Sequence, residues 1–287
     1  MKYAFIAEHA QKYAVERQCK TLQVSVSGYY AWRQRQTSRH EQRDVELSQQ
    51  IEIIHQGSRG LYGSPRVHAA LKRAGVRCGR KRVARLMRRA GLRSGRQRRY
   101  RPLTTQSRHN LPVAPNRLQR QFKAALPNQK WVTDITYIPT HQGWLYLAVV
   151  LDLFSRLVVG WAMSDHPDEA LVEGALRMAL ARRRPPPGLL SHSDRGSQYA
   201  AHRYTRLLRR QHIIPSMSRS ANCYDNAVVE SFFRTLKSEC VTLTRYATHH
   251  QARLSIFEFM EVYYNRQRLH STLGYLTPVQ FEALQLS

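Results

Sequence analysis

Three carboxylates in the second half of the chain stand where an acid is costly without a partner. Asp194 lies in HSDRGSQYA, after the apolar run GLLSHS and before a glycine turn. Asp134 interrupts WVTDITYIPT, a strand pattern in which a carboxylate is unfavourable unless a positive group meets it. Glu230 lies in NAVVESFFRTLKSE, on a helix face shared with Arg234 and Lys237. Acids in these surroundings predict a binding site for a cation.

The elements that must position these acids are strands, followed by alternating helices and strands. The segments WVTDITYIPT, WLYLAVVLDLFSR and LVVGWAM predict three consecutive antiparallel strands. The helical pattern DEALVEGALRMALARRR stops at three prolines, after which GLLSHSD predicts a short strand. A helix, the strand HIIPSMS and a last helix complete a mixed α/β layer. Asp194 then lies at the carboxyl end of a strand, where open α/β sheets usually bind ligands.

The helix of Glu230 has a predicted core face made of Val229, Phe232, Phe233 and Leu236. Alone, Glu230 and Arg234 are equally typical of an exposed helical salt bridge worth a few tenths of a kcal/mol. The spacing favours a site instead. Thirty-five residues separate Asp194 from Glu230, and Asp134 precedes both on the first strand of the same predicted sheet.

The positive charge of the chain is concentrated in its first half. The formal net charge is +27, and residues 1–130 carry 29 Lys and Arg against 6 Asp and Glu. Residues 131–287 carry 17 against 13. Such an excess makes a compact state self-repelling without counter-charge. Nucleic acid is the predicted partner rather than an anionic membrane, since no amphipathic lipid-facing helix with bulky apolar residues stands out.

The sequence gives no indication of a membrane protein, a secreted protein or a zinc-binding protein. There is no uninterrupted apolar stretch of ~18 residues, and Glu8 and His9 break the short apolar run at the N-terminus. We therefore expect a soluble, cytoplasmic protein with no membrane partner. The four cysteines show neither a C-x-x-C pair nor a paired histidine spacing, so neither a zinc site nor a disulfide framework is predicted.

The segment LYGSPRVHAALKRAGVRCGRKRVARLMRRAGLRS predicts two helices joined by a tight turn. Ser64 is expected to cap the first helix, over residues 65–74, and Gly91 to end the second. Basic residues on the second helix lie largely off its apolar stripe, where they could approach DNA phosphates. They are Lys81, Arg82, Arg85, Arg88 and Arg89. The pattern resembles a helix-turn-helix, and an ordinary helical hairpin with a basic outer face fits it too.

The chain therefore divides into four predicted parts. An N-terminal helical region covers 1–57, the helix-turn-helix region 58–95, a basic, proline-containing linker 96–128, and the core with a C-terminal helical tail 129–287. The predicted fold class is an α/β core preceded by an all-α DNA-binding region.

Several motifs together resemble one known family. They are WVTDITYI, LYLAVVLDLFSRLVVGW, HSDRGSQY, MSRSANCYDNAVVESFFRTLKSE and YYNRQRLHSTLGYLTP. The chain is similar to the bacterial insertion-sequence transposases of the downstream-frame (OrfB) type, and the similarity extends upstream through LYGSPRV, RVARLMRRAGL and VSVSGYYAWR. The resemblance implies a ribonuclease-H-like integrase core with a mixed five-stranded sheet and flanking helices.

The resemblance also implies that Asp134, Asp194 and Glu230 are the catalytic, metal-ligating acids of a DDE transposase. Carboxylate oxygens suit Mg²⁺ or Mn²⁺, and two ions roughly 4 Å apart serve in-line phosphoryl displacement. Water would release a 3′-hydroxyl at the element's end, and this hydroxyl would attack target DNA. Lys237 matches a basic residue that would reach the phosphate of the DNA end, and Arg234 is a second candidate for that role.

The partners implied by the resemblance are the terminal inverted repeats of the element, target DNA and further copies of the chain on DNA. An upstream-frame OrfA protein is a further partner or fusion, because the chain has no long leucine heptad, and the protein would associate with the bacterial nucleoid. Two other functions stay open: a non-cleaving DNA-binding regulator of its own element, and a ribonuclease-H-type nuclease. The intact acid set argues against the first, and the basic half with the thirty-five-residue spacing argues against the second.

Other polar residues of the motifs are expected to act in structure. Asp225 or Asn226 is expected to cap the Glu230 helix, and Asp152 to lie at a strand end bonded to Ser155 or Arg156. Gly196 gives the turn after Asp194 room for a DNA backbone, or is an ordinary turn glycine. The spacing supports no chemical role for Asn265, Arg268 and His270.

Overall fold

The computed structural model describes residues 2–34, 38–94, 111–219 and 223–286. The chain forms two compact units, Met1–Arg93 and Ser94–Ser287. Residues 95–110, which include much of the predicted basic linker, lie outside the described residues. No helix within the described ranges is long and apolar enough to cross a membrane.

The first unit is entirely helical over its described residues. Helices α1 (Lys2–His9), α2 (Val15–Thr21) and α3 (Val26–Gln34) pack around Ile6, Cys19 and Tyr29, which are fully buried. Helix α4 (Arg39–Gly57) begins with a capping box, in which Ser38 accepts a hydrogen bond from the backbone N–H of Glu41 and the Glu41 carboxylate accepts from Ser38. Helices α5 (Ser64–Arg73) and α6 (Arg80–Arg89) follow.

Helices α5 and α6 form the predicted pair joined by a short turn. Each apolar stripe is buried: Val67 and Leu71 on α5, Val83, Leu86 and Met87 on α6. Gly75 and Gly91 follow the helix ends with φ of +79° and +69°, a region that glycine enters without strain. The expected cap by Ser64 is wrong. Helix α5 begins at Ser64 itself, and Gly63 occupies the cap position without a side-chain bond.

The second unit is built on a mixed five-stranded sheet of order β3-β2-β1-β4-β5. Its strands are β1 (Lys130–Thr140), β2 (Gly143–Asp152), β3 (Val158–Ser164), β4 (Leu190–Ser193) and β5 (Ile214–Met217). Strands β1, β2 and β3 form antiparallel pairs, as predicted from their strand patterns. Strands β4 and β5 extend the sheet in parallel on the other side of β1. The predicted sheet is confirmed.

Helices flank this sheet and are connected by short loops. They are α7 (Glu169–Arg183), α8 (Ser197–Ala200), α9 (His202–Arg210), α10 (Ala227–Glu239), α11 (His249–Phe257) and α12 (Pro278–Leu286). A π-helical stretch, Glu258–Tyr264, continues α11. Helix α7 packs against β3 where Gly160 leaves no room for a side chain: an added Cβ would lie 2.7 Å from the Cβ of Ala179 and closer still to the carbonyl oxygen of Ala175.

Residues 111–128, which the sequence assigns to the linker, pack on the second unit. Leu118 is buried, and the backbone N–H groups of Arg117 and Leu118 donate to Ser216 Oγ on β5 at 2.9 and 3.2 Å. An apolar anchor and two backbone bonds thus fix this part of the chain to the sheet edge.

Candidate active site

The parallel pairing of β1 with β4 brings Asp134 and Asp194 to the same level of the sheet. Val132 lies opposite His192 in the ladder, and continuing this register by two residues places Asp134 beside Asp194. Neighbouring strands lie about 4.8 Å apart, so the two acids project from adjacent backbones. Strand β1 is paired on both sides, which fixes Asp134 in the middle of the sheet.

The carboxyl of Asp134 is enclosed by protein, although a small part of its surface stays open to solvent. Burial raises its pKa well above the usual value, and the charges of Asp194 and Glu230 raise the pKa further. Two effects oppose this shift: the N–H of Ile135 donates to Oδ1 at 2.8 Å, and Lys237 contributes a positive charge. Asp194 and Glu230 therefore both lie within electrostatic range of Asp134.

Asp194 is held by a tight turn that directly follows β4. The N–H of Gly196 donates to Asp194 Oδ1 at 2.9 Å. A Cβ on Gly196 would stand 3.0 Å from this same oxygen and 2.8 Å from Gln198 Oε1, which is closer than side-chain carbons normally approach. The glycine thus leaves room for the carboxylate of Asp194, a local reason for this residue type that the sequence did not reveal.

Glu230 is positioned by the buried face of α10. Val229, Phe232, Phe233 and Leu236 are buried, which confirms the predicted core face of this helix. Glu230 lies in the first turn and is partly buried. Burial raises its pKa, and Arg234 on the next turn lowers it. Arg234 itself is exposed.

Lys237 lies two turns after Glu230 and reaches the face of β1. Its Nζ stands 4.8 Å from the centroid of the Tyr137 ring, a cation–π distance. Burial lowers the pKa of Lys237, whereas Asp134 raises it. The cation therefore lies within electrostatic range of Asp134.

Asp194 and Glu230 both act electrostatically on Asp134, but the three carboxylates do not converge on one point. In the described part of the chain, no three Asp, Glu, His or Cys side chains converge tightly enough to enclose a metal ion. The donor set nevertheless fits a hard divalent cation, because carboxylate oxygens are its preferred ligands and their mutual repulsion calls for positive charge.

Comparisons with known proteins identify the family of this chain. Two models named integrase core domain match residues 124–223 and 211–278, and an HTH-like domain matches residues 41–100. The chain is 42% identical over 289 residues to the transposase InsF for insertion sequence IS3A of Escherichia coli (strain K12), with 100% of both chains covered. The chain belongs to the transposase family of IS3-type insertion sequences. The family predicted from the motifs is confirmed, and the protein is a transposase with an integrase catalytic core.

Further similarities come from another insertion element and from viral integrases. The transposase is 44% identical over 263 residues to the insertion element IS600 uncharacterized 31 kDa protein of Shigella sonnei, covering 92% of this chain and 96% of that one. A chain of the simian T-cell lymphotropic virus intasome is 17% identical, with a TM-score of 0.48 and coverage of 81% and 74%. The HTLV-2 integrase catalytic core domain in complex with magnesium is 18% identical, with a TM-score of 0.41 and coverage of 55% and 97%.

The basic residues of α6 fall into two groups in the transposase. Arg82 Nε donates to Asp44 Oδ1 and Arg85 Nη2 to Asp44 Oδ2, both at 2.7 Å, and Asp44 on α4 is buried. These ion pairs lower the pKa of Asp44. The remaining three predicted DNA-binding residues of this helix, Lys81, Arg88 and Arg89, are exposed. Arg82 and Arg85 thus hold α6 against α4, a contact that the sequence did not predict.

The expected cap of α10 is wrong. Asn226 occupies the cap position without a side-chain bond to the helix, and its Nδ2 donates to the carbonyl of Thr133 at 3.3 Å. Asp225 is fully buried and binds Arg219, Arg120 and Asn116 instead. Two arginines outcompete the first helical N–H groups for its oxygens because a charged donor binds a buried carboxylate more strongly.

Asp152 ends β2 and its backbone carbonyl accepts from the Arg156 N–H at 2.9 Å, as expected, whereas its carboxylate has other partners. Its carboxylate accepts from the backbone N–H of Asn128 at 2.7 Å and of Phe154 at 2.9 Å rather than from Ser155 or Arg156. Ser155 Oγ donates to Glu282 at 2.6 Å. Asp152 thus fastens the entry to β1 and has a structural place, which separates it from the three acids.

The polar residues of the C-terminal motif YYNRQRLHSTLGYLTP also make structural contacts. Asn265 pairs with both the N–H and the carbonyl of Val158, through Oδ1 at 3.0 Å and Nδ2 at 3.1 Å. Arg268 binds Glu239 at the end of α10 through two hydrogen bonds of 2.7 Å. His270 packs edge-on to the Tyr264 ring. These contacts supply the structural reasons that spacing alone did not give.

Sequence reasoning missed the polar layer beneath the acids. His192 on β4 is buried between Ser216 Oγ at 2.8 Å and Ser218 Oγ at 3.1 Å, and burial lowers its pKa to about 4. Tyr199 Oη lies 3.2 Å from Thr133 Oγ1. The signal was present in HSD, where polar residues fill a short strand, yet a strand buried on both faces shows no alternation that would expose it.

Proposed function

We propose that this transposase cleaves DNA at the ends of its element and joins them to target DNA, with Asp134, Asp194 and Glu230 as the metal-ligating acids. One observation carries the proposal. The β1–β4 register brings Asp134 beside Asp194 in a poorly solvated part of the sheet, where Asp194 and Glu230 both raise the pKa of Asp134. Acids that are buried and repel one another are typical of catalytic and metal sites rather than of structural ion pairs.

Divalent metal ions, two per site and either Mg²⁺ or Mn²⁺, would supply the positive charge that activates an attacking oxygen and stabilises a leaving one. Asp134 and Asp194 would bind from adjacent strands, and Glu230 from the first turn of α10. Lys237, held over Tyr137, would place its ammonium against a phosphate of the DNA end. Arg234, being exposed on the same helix, is a second contact for that DNA.

The reaction consists of two exchanges of phosphodiester bonds. Water attacks the phosphorus at the element's end, and the bond to the 3′-oxygen breaks, leaving a 3′-hydroxyl. This hydroxyl then attacks a phosphodiester of the target, whose own 3′-oxygen leaves. Each step breaks one phosphodiester bond as a new bond to phosphorus forms, so neither ATP nor a covalent enzyme intermediate is needed.

The substrates we propose are the terminal inverted repeats of the element and target DNA, bound by several copies of the chain in the bacterial cytoplasm at the nucleoid. The matched HTH-like region and the exposed cations of α6 support DNA binding by the first unit. An OrfA partner or fusion would complete recognition of the element ends.

The test measures Mg²⁺-dependent nicking and joining of DNA that carries the segments flanking the gene. Asp134→Asn, Asp194→Asn and Glu230→Gln are each expected to lower scission by more than about 100-fold, the upper scale already known for residues that only support metal ligands. DNA affinity in a chelator should be unchanged. Asp165→Asn, at an exposed acid paired with His166, is the matched control and should cleave normally.

Retained scission in any acid variant would remove that residue from the site. Binding without scission by the wild-type chain, alone and with an OrfA partner fused, would favour a non-cleaving regulator. Robust hydrolysis of RNA in hybrids, with DNA left intact, would favour a ribonuclease-H-type nuclease.

A further inference from the structure

A buried carboxylate that the proposed metal site does not use lies directly before α10. Asp225 has 0% side-chain exposure and accepts from Arg219 through N, Nε and Nη2, each at 3.0 Å. Arg120 Nε adds a bond of 2.9 Å and Asn116 Nδ2 one of 2.8 Å. These charged donors lower the pKa of Asp225, so the acid is ionised at neutral pH.

The two arginines bind Asp225 and remain partly exposed to solvent. The side chains of Arg120 and Arg219 are 45% and 57% exposed, although each gives part of its guanidinium to Asp225. Two cations share one carboxylate, which leaves the cluster with a net positive charge. A guanidinium already fixed in this way loses less side-chain entropy when it binds an anion.

The cluster lies on the loops that carry the acids. Asp225 precedes Glu230 by five residues, and Arg219 follows the end of β5 by two. Arg195, the neighbour of Asp194, donates from Nε to the carbonyl of Ser218 at 2.6 Å, which ties the Asp194 turn to the same loop. The guanidinium groups of Arg120 and Arg219 are therefore tied through Asp225 and Ser218 to the loops that carry Glu230 and Asp194.

Arg120 is held in place by an unusual backbone. Gln119 and Arg120 have φ of +46° and +62°, and consecutive non-glycine residues rarely adopt this region. The Gln119 N–H donates to Asn116 Oδ1 at 2.9 Å, and Asn116 in turn binds Asp225. Strain of this kind persists where surrounding contacts fix a residue for a purpose. Here the contacts direct Arg120 to the Asp225 cluster.

We propose that Arg120 and Arg219, held by Asp225, form a binding site for backbone phosphates of the DNA beside the three acids. The inference rests on the proposed function, since it locates part of the same DNA substrate. The planar, delocalised guanidinium suits phosphate oxygens, and a partly exposed pair of fixed cations next to phosphoryl-transfer acids meets the negative backbone where it must enter.

The experiment measures DNA affinity of the full chain in a chelator, so that no scission occurs, across a range of salt concentrations. Arg120→Gln and Arg219→Gln each keep a donor for Asp225 and lose a charge. The plot of log affinity against log salt has a negative slope. Each variant is expected to reduce the magnitude of this slope by about 1, and the double variant by about 2. Arg120→Lys and Arg219→Lys keep the charge and should keep the slope within about half a unit of wild type.

Arg177→Gln is the matched control. Arg177 is 63% exposed and bound to the buried Glu173, like the two arginines on Asp225, but it lies on α7, which packs on β3 at the opposite edge of the sheet. The salt slope of the Arg177→Gln variant should equal that of the wild-type protein. Equal slopes for the control and the double Gln variant would overturn the proposal, as would loss of slope in the Lys variants, which would indicate a purely structural role.

The readout separates this inference from the proposed function. A reduced salt slope in the Gln variants with no scission by wild-type protein would support the phosphate site and refute the catalytic proposal. Normal scission by wild-type protein with unchanged salt slopes in the Gln variants would support the catalytic proposal and refute the phosphate site.

Discussion

Asp134 experiences a repulsion that either its own protonation or a bound cation relieves. Its pKa is raised by burial, by Asp194 and by Glu230. Below the ordinary value of 3.8 the carboxyl is protonated in both the folded and the unfolded chain, and its titration changes no stability. As the pH rises through the folded pKa, the ionised form penalises the folded state. Stability of the metal-free protein therefore falls over this range.

Asp134→Asn is expected to raise the melting temperature of metal-free protein at pH 8, because Asn keeps the acceptor for the Ile135 N–H and removes the charge. The gain should shrink as the pH falls toward 4, where Asp134 retains its proton. Thermal melts in a chelator at pH 8, 6 and 4.5 measure this. Melting of the variant below wild type at pH 8 would contradict the electrostatic account.

The residue types in the sequence pointed to Asp134, Asp194 and Glu230 as site residues. The sequence did not predict which side chains surround them. A lone acid in an apolar strand, as at Asp134, is a strong signal because a carboxylate there is costly unless a positive group meets it. Asp225 gave no comparable signal, since an acid before a helix is more often a cap. Its partners Arg120 and Asn116 lie more than 100 residues earlier, and spacing carries no information on contacts of that length.

At the level of elements, the packing of α7 on β3 depends on Gly160. Gly160→Ala is expected to lower the free energy of unfolding by about 1–3 kcal/mol, because the new methyl meets the backbone of Ala175 and the side chain of Ala179. Gly174→Ala on α7 is the graded comparison: its Cβ would meet only Ala162, at 3.3 Å, while alanine favours the helix.

Denaturant unfolding of the second unit measures both Gly160→Ala and Gly174→Ala. A Gly160→Ala protein as stable as wild type would show that α7 can shift away from the sheet without cost. The expected order is wild type above Gly160→Ala, with Gly174→Ala closer to wild type.

Element types and order followed from periodicity, whereas element ends did not. Alternation in WVTDITYIPT and helical spacing in DEALVEGALRMALARRR are local signals, and both were confirmed. The cap expected at Asp225 or Asn226 was wrong because tertiary partners bind these side chains. The cap expected at Ser64 was wrong because α5 begins one residue earlier than predicted, with Gly63 at the cap position. The Asp168 cap of α7 is satisfied locally, through the N–H of Leu171.

For the whole molecule, the concentration of positive charge in the first half predicts that this half provides most of the DNA affinity. A chain shortened to residues 111–287 should bind DNA more weakly than the full chain and with a smaller salt slope, because it lacks most of the Lys and Arg. Fluorescence anisotropy across a salt series measures both quantities. Equal slopes for the two chains would place the phosphate contacts in the second unit alone. A melting curve of the short chain is the folding control, since Leu118 and its backbone bonds to Ser216 are retained.

The order of the two units along the chain also sets an order in time. The helical unit, Met1–Arg93, is complete while the ribosome has still to add all of Ser94–Ser287, which takes about 10 to 40 s at typical bacterial rates. Within that second stage Asp134 emerges first, then Asp194, and Glu230 last. A nascent chain thus gains its HTH-like region early and all three proposed metal-binding acids late. If the proposed function holds, an interrupted product would still occupy DNA but would not cut it.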